Sequence, residues 1–147
     1  MSTLDDLVKV AMTAPSSGRS NLEQLTALAD SFEAETPYGT RYAAKLELVK
    51  RLTGTRPKIR SSIGSCATIV RAYAYLHELG VINIGKLVER FPNVFSYDIK
   101  GNMQPKVEYL QSLGVRDIGK LVNRFPAVFG YDIKGNMQPK VEYLQSL

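Results

Sequence analysis

The chain has 147 residues, 44% of them hydrophobic, and a formal net charge of +5. Its single cysteine and single histidine exclude an intramolecular disulfide, a thiolate metal cluster and a histidine-rich metal site. No apolar run reaches the roughly 18 residues that a membrane span needs. The moderate positive charge mildly favours a polyanionic partner such as nucleic acid.

The first 64 residues are predicted to form a helical leader or cap. A first short helix is expected from a Ser or Thr cap at position 2 or 3 to about Met12. Asn21 can cap a second helix, whose apolar stripe consists of Leu22, Leu25, Leu28, Ala29 and Phe32. A third helix is expected from about Thr40 to Leu52, with an apolar face formed by Tyr42, Ala43, Leu46 and Val49.

A basic connection joins this leader to the rest of the chain. No Asp or Glu lies between Leu48 and His77, so this stretch carries six positive charges. They belong to Lys50, Arg51, Arg56, Lys58, Arg60 and Arg71. Such a stretch can hold a phosphate backbone or an acidic protein surface; the alternative is a flexible, solvated connection.

The second half of the chain is a tandem repeat. Residues 79–112 and 113–146 are identical at 29 of 34 positions. A period of this length is typical of a solenoid, in which neighbouring units bury each other's apolar faces. A further helix, which Ser65 can cap, precedes the first copy. The apolar residues recur at three- and four-residue spacing, which predicts helices and no strands.

Each repeat is predicted to contain two helices joined by a turn. Asn83 and Asp117 can cap the first helix of each copy, and a Phe-Pro pair ends it. The second helix is expected to begin near Asn102, with Pro105 in its first turn. Phenylalanines are expected in the core, at positions 91, 95, 125 and 129. The five positions that differ between the copies are expected to be solvated or in turns.

These motifs resemble the repeat of the mitochondrial transcription termination factor (mTERF) family. The likeness rests on the Phe91-Pro92 pair, the Pro105-Lys106 opening of the second helix and the closing Leu113-Gly114 pair, in two copies in phase over about residues 73–147. It implies an all-α fold, a short α-solenoid over residues 65–147 behind the leader of residues 1–64. It also implies binding of DNA or RNA in organellar gene expression, in a mitochondrion or chloroplast, although Asp5 and Asp6 near the N-terminus are unlike a transit peptide.

The repeated basic residues are the candidate phosphate contacts. Lys86 and Arg90 lie four residues apart on the first helix, and Lys120 and Arg124 repeat this spacing. Arg116 adds a further charge, and more lysines follow in both copies, at positions 100, 106, 134 and 140. Lysine and arginine in such a pattern neutralise phosphates. The alternative is a solvated helix face. Lys106 is expected to be a surface residue.

Enzymatic chemistry is not predicted. The G-x-x-x-x-G-K pattern at Gly80–Lys86 resembles a phosphate loop, but Leu87 stands where Ser or Thr is needed. His77 has no nucleophile at a suggestive spacing, and Cys66 is expected to be buried. We therefore expect no cofactor, no metal and no small-molecule substrate. The alternative function is a protein-binding scaffold subunit of a larger organellar complex.

Overall fold

The computed structural model describes residues 3–13, 19–56, 63–97, 99–130, 135 and 138–146, and these residues contain helices and no strand. The helices are α1 (Leu4–Thr13), α2 (Arg19–Glu35), α3 (Arg41–Thr53), α4 (Cys66–Glu78), α5 (Ile84–Arg90), α6 (Gln104–Ser112), α7 (Ile118–Arg124) and α8 (Gln138–Ser146). Short 3-10 turns occupy Tyr38–Thr40, Pro92–Ser96 and Pro126–Gly130, and a π-helical turn occupies Ile99–Met103. None of the helices in these ranges is long and apolar enough to cross a bilayer.

The predicted caps of α4, α5 and α7 are confirmed. The side chains of Ser65, Asn83 and Asp117 each accept a hydrogen bond from the backbone amide three residues further on, at 3.1, 2.9 and 2.9 Å. These bonds satisfy amides that a helix start otherwise leaves without a partner. Pro105 lies in the first turn of α6, as predicted, but the regular helix starts at Gln104 because a π-helical turn precedes it.

Two predictions for the leader are wrong in detail. Helix α2 begins at Arg19, two residues before the predicted cap. Tyr42 and Ala43 of α3 are exposed. The buried residues of α3 lie from its middle to its C-terminal end, at Leu46, Leu48, Val49 and Leu52. Helix α3 packs on α1 and α4, and its buried residues show that its middle and C-terminal turns make this contact.

One contiguous core joins the leader to both repeats. Phe95 and Phe129 are fully buried, as predicted, and Cys66 is buried too. Phe91 is half-buried. The prediction that Phe125 is a core residue is wrong, because its side chain is 41% exposed. A repeat pattern gives both copies the same apolar face, but burial also needs a neighbouring unit on that face.

Two glycines let consecutive helices approach closely. A Cβ on Gly85, at the start of α5, would lie 2.4 Å from the Thr53 carbonyl oxygen at the end of α3. A Cβ on Gly119, at the start of α7, would lie 2.5 Å from the Gly80 carbonyl oxygen after α4. The contact between the end of α3 and the start of α5 thus matches the contact between the end of α4 and the start of α7, one repeat earlier in the chain. The end of α3 therefore occupies the place that the end of α4 occupies one repeat later.

Contacts of the Glu33 side chain connect helices α2, α3 and α4. The Glu33 carboxylate accepts a hydrogen bond of 2.8 Å from the Cys66 amide at the start of α4 and lies 3.6 Å from the Lys45 ammonium of α3. Burial acts to raise the pKa of Glu33, but the amide and the ammonium outweigh it and hold that pKa below its usual value. Burial, reinforced by Glu33, raises the pKa of the Cys66 thiol to about 12. The thiol is therefore protonated and unreactive near neutral pH.

Replacing Glu33 with Gln is expected to lower the free energy of unfolding by about 1–2 kcal/mol at neutral pH, because a charged hydrogen bond at a helix start is lost. Since the folded pKa of Glu33 is lowered, its contribution is fully present above the usual value of 4.5 and is lost as the pH falls through the folded pKa. Urea denaturation at neutral and acidic pH measures both effects. Wild type should lose more stability on acidification than Glu33→Gln, and equal losses would contradict this role.

Candidate nucleic-acid interface

The first two predicted phosphate contacts share one surface. Lys86 lies in the first turn of α5 and Arg90 one turn later, at its end, and both side chains are exposed. Together with Ile82, Asn83 and Leu87 of their own repeat, they line an open cavity of about 260 Å³. Asn123 of the second repeat closes it. The pair therefore stands at the junction between the repeats.

Arg90 also holds the repeats together. Its Nη1 donates a hydrogen bond of 3.1 Å to the carbonyl oxygen of Asn123, in the last turn of α7. A helix C-terminus carries unpaired carbonyls and partial negative charge, so a guanidinium is a favourable partner there. A guanidinium has five N–H donors. Arg90 can therefore keep this bond and still offer donors to a phosphate.

The second repeat presents the same pattern with more positive charge. Lys120 and Arg124 occupy the positions of Lys86 and Arg90 on the equivalent helix α7, and both are exposed. Arg116, also exposed, replaces the neutral Ile82 of the first repeat. The copies differ in charge at two further positions: Asn123 replaces Glu89, and Asp117 replaces Asn83. The net effect is one more positive charge in the second repeat.

The basic end of α3 lies beside the same surface. Lys50 and Arg51 form the last turn of α3, which ends where α5 begins, and Lys50 and Arg56 are exposed. Arg51 instead forms an ion pair with Asp5 of α1. This pair partly neutralises it, so Arg51 is a weaker candidate than its neighbour. Lys58 and Arg60 lie outside the described residues.

Several residues that we considered with this group are placed elsewhere. Arg71 is half-buried and lines a separate cavity with acidic residues of α2, among them Glu23 and Asp30. Lys106 is only 8% exposed, so its prediction as a surface residue is wrong. Its ammonium donates to the Phe129 carbonyl of the second repeat and lies 5.8 Å from the centre of the Tyr97 ring. A buried ammonium needs such partners.

Sequence reasoning missed two features of this surface. Ile82 is 91% exposed and stands at the rim of the cavity beside Lys86. Asn123 supplies the carbonyl to which Arg90 binds. The available signal was the list of differing positions, which includes both residues; Ile82 is exposed, as that list predicted, but Asn123 is half-buried in the last turn of α7. It gave no indication that one of them lies at a repeat junction.

The described residues contain no group of His, Cys, Asp or Glu that could hold a metal ion.

Acidic charge lies around Tyr75 of α4, where burial and the neighbouring Glu78 and Glu108 raise the pKa of the phenol to about 12. Tyr75 lines the cavity that also contains Arg71, and neither residue lines the cavity of Lys86 and Arg90. The acidic residues of α2 and α4 therefore lie with Arg71 in a different cavity from Lys86 and Arg90.

Comparison with protein families matches the mTERF model over residues 65–147, more than half of the chain. The chain therefore belongs to the mTERF family, and the helices that make up the described part of the chain agree with that fold. Members of the family are typically organellar helical-repeat proteins that bind nucleic acid and generally lack enzymatic activity. No curated protein and no solved structure matches the chain.

Proposed function

We propose that this protein binds the phosphate backbone of DNA or RNA in organellar gene expression, without catalysing a reaction. The contacts are made by the exposed cations of the two repeats, Lys86, Arg90, Arg116, Lys120 and Arg124. The cations at the end of α3, Lys50 and Arg56, extend this surface, with Arg51 as a weaker contributor. Lys58 and Arg60 belong to the proposal on sequence grounds alone.

The observation that carries the proposal is the recurrence of the same exposed pair on two equivalent helices. Lys86 and Lys120 each lie in the first turn of a capped helix, three residues after the capping side chain. Nucleic acid is itself a repeating polyanion, so a repeated pair of cations matches it unit by unit. Contacts to phosphate position a protein without reading bases. We therefore expect little sequence preference.

Rigid placement supports this function. The caps fix the starts of α5 and α7, and Gly85 and Gly119 seat these starts against the ends of α3 and α4. Arg90 then fixes the spacing between the two helices through the Asn123 carbonyl. Cations on a rigid scaffold lose less conformational freedom on binding than cations on a mobile segment.

The double substitution Lys86→Glu/Lys120→Glu is expected to weaken binding of duplex DNA or RNA at least about tenfold, because two phosphate contacts become repulsive. Fluorescence anisotropy with labelled duplexes at low salt measures the affinity. Lys9→Glu is the matched control, because Lys9 is exposed on α1 and is not part of either repeat. If Lys9→Glu weakens binding as much per charge as the double variant, the effect is one of net charge and the proposed surface is wrong.

A further inference from the structure

Ile82 stands almost fully in solvent, although it is an apolar residue between α4 and α5. Its side chain is 91% exposed. The equivalent position in the second repeat is Arg116, which is exposed too. The fold therefore places this position in solvent in both copies, and only the first copy presents an apolar group there.

Two cavities meet at Ile82. One is the cavity of about 260 Å³ that Lys86 and Arg90 line. The other has a volume of about 480 Å³ and lies between the end of α3, the C-terminal half of α4 and the start of α5. Ile82 and Asn83 line both cavities, so these two residues form the wall between them. A strand whose phosphates lie on Lys86 and Arg90 therefore has the larger cavity directly beside it.

The larger cavity contains an aromatic pair. Tyr73 and His77 lie one turn apart on α4, with ring centres 6.4 Å apart and ring planes tilted by 46°. Tyr73 is buried and His77 is exposed, so the His77 ring is the more accessible of the two. The equivalent residues of the next unit are Val107 and Gln111. The aromatic pair is therefore specific to this junction and is not part of the repeat pattern.

The chemistry of this cavity suits a nucleobase. Bases stack on aromatic rings and on apolar side chains, and the imidazole of His77 and the phenol of Tyr73 can form hydrogen bonds to base edges. A volume of about 480 Å³ is typical of small-molecule sites and leaves room for a single base. A base inside a duplex is stacked and paired, so only an unpaired base can enter.

We propose that the cavity beside Ile82 binds an unpaired nucleobase of the strand whose phosphates lie on Lys86 and Arg90. Ile82 packs against the face of the neighbouring base, a contact that apolar side chains make between base steps. This inference rests on the proposed function and adds a target class to it, nucleic acid that contains an unpaired nucleotide. Stacking tolerates every base, so the preference is for an unpaired position and not for a sequence.

The test compares three labelled duplexes of the same sequence by fluorescence anisotropy at low salt. One is fully paired, one carries a single unpaired nucleotide at its centre, and in the third that nucleotide is abasic. The unpaired nucleotide should tighten binding at least about fivefold, and the abasic form should bind like the paired duplex. The set is made in DNA and in RNA; the preference in either one supports the site and shows which backbone it takes.

Two truncations locate the preference. Ile82→Ala and His77→Ala should each reduce it to less than about twofold and leave the affinity for the paired duplex unchanged, because neither side chain contacts phosphate in this arrangement. Met12→Ala is the matched control, because Met12 is an exposed apolar residue of α1 that lines neither cavity. Lys86→Ala should weaken binding of all three duplexes by a similar factor, because a phosphate contact is common to them.

Ile82→Arg guards against a loss of binding that comes from misfolding. It introduces the residue that the second repeat carries at this position, so the fold should tolerate it. The variant should lose the preference for the unpaired nucleotide and bind the paired duplex more tightly, because a phosphate contact replaces a base contact. A misfolded protein would bind both duplexes more weakly.

Three results would overturn the inference and leave the proposed function standing. They are equal affinity for all three duplexes, an equal gain from the abasic nucleotide, and a preference that survives in both Ile82→Ala and His77→Ala. Absence of binding to every duplex at low salt would instead overturn the proposed function, and the inference with it.

Discussion

Replacing Phe129 with alanine is expected to lower the free energy of unfolding by about 3–5 kcal/mol, because the side chain is fully buried and its removal leaves a cavity. Phe129 lies in the short turn after α7, and its backbone carbonyl also accepts the bond from Lys106. Loss of its packing therefore loosens the second repeat and its attachment to the first. Urea denaturation followed by circular dichroism measures the effect.

Phe125→Ala is the matched control, because it makes the same change four residues earlier at a side chain that is 41% exposed. It should cost only about 1 kcal/mol, in proportion to the smaller apolar area that it removes. Equal losses of stability for the two variants would mean that the second repeat does not bury its phenylalanines differently, and the packing described here would be wrong.

Replacing Gly119 with alanine is expected to destabilise the protein by about 1–3 kcal/mol, although alanine is the better helix former by about 1 kcal/mol. The added Cβ would lie 2.5 Å from the backbone of Leu79 and Gly80. Backbone atoms cannot move aside as the end of a flexible side chain can, so α7 must shift away from α4. Thermal or urea denaturation measures the change.

Gly130→Ala is the control for this substitution. An added Cβ there meets the nearest atoms of Phe91 and Tyr97 at an ordinary distance of 3.5 Å. Its effect should stay within about 0.5 kcal/mol. A Gly119→Ala variant that is more stable than wild type would show that α4 and α7 do not approach as described, and the spacing of the cations on α5 and α7 would lose its structural basis.

The local features of the fold could be predicted from the sequence because their signals are local. An Asn or Asp three residues before a Lys amide gives the caps at Asn83 and Asp117, and the three- and four-residue spacing gives the buried Phe95. Apolar spacing alone predicted the burial of Leu46 and Val49 in α3 correctly, but it placed the exposed Tyr42 and Ala43 on the same buried face. Both Tyr42 and the buried Leu48 fit a helix, and only the packing partners decide which one is covered.

The sequence indicates which cations of the candidate site share a face, but it does not indicate which of them bind other parts of the protein. The spacing of Lys86 and Arg90 indicates one shared face, which the common cavity agrees with. The partners of Arg51 and Arg90 lie 46 and 33 residues away in the sequence, and no local pattern indicates them. Because the two copies are nearly identical, comparing them does not show which of their cations binds another part of the protein. Lys106 is buried because its ammonium donates to the Phe129 carbonyl of the second repeat. This contact exists only when the two repeats are stacked.

The dependence of duplex affinity on salt concentration tests the central claim, that the repeats neutralise a phosphate backbone, most directly. Binding should be saturable at low salt. The logarithm of the binding constant should fall linearly with the logarithm of the salt concentration, and Lys120→Ala should make this slope shallower by about one. Absence of binding to DNA and RNA at low salt would contradict the account. So would a slope that is flat or unchanged in the variant.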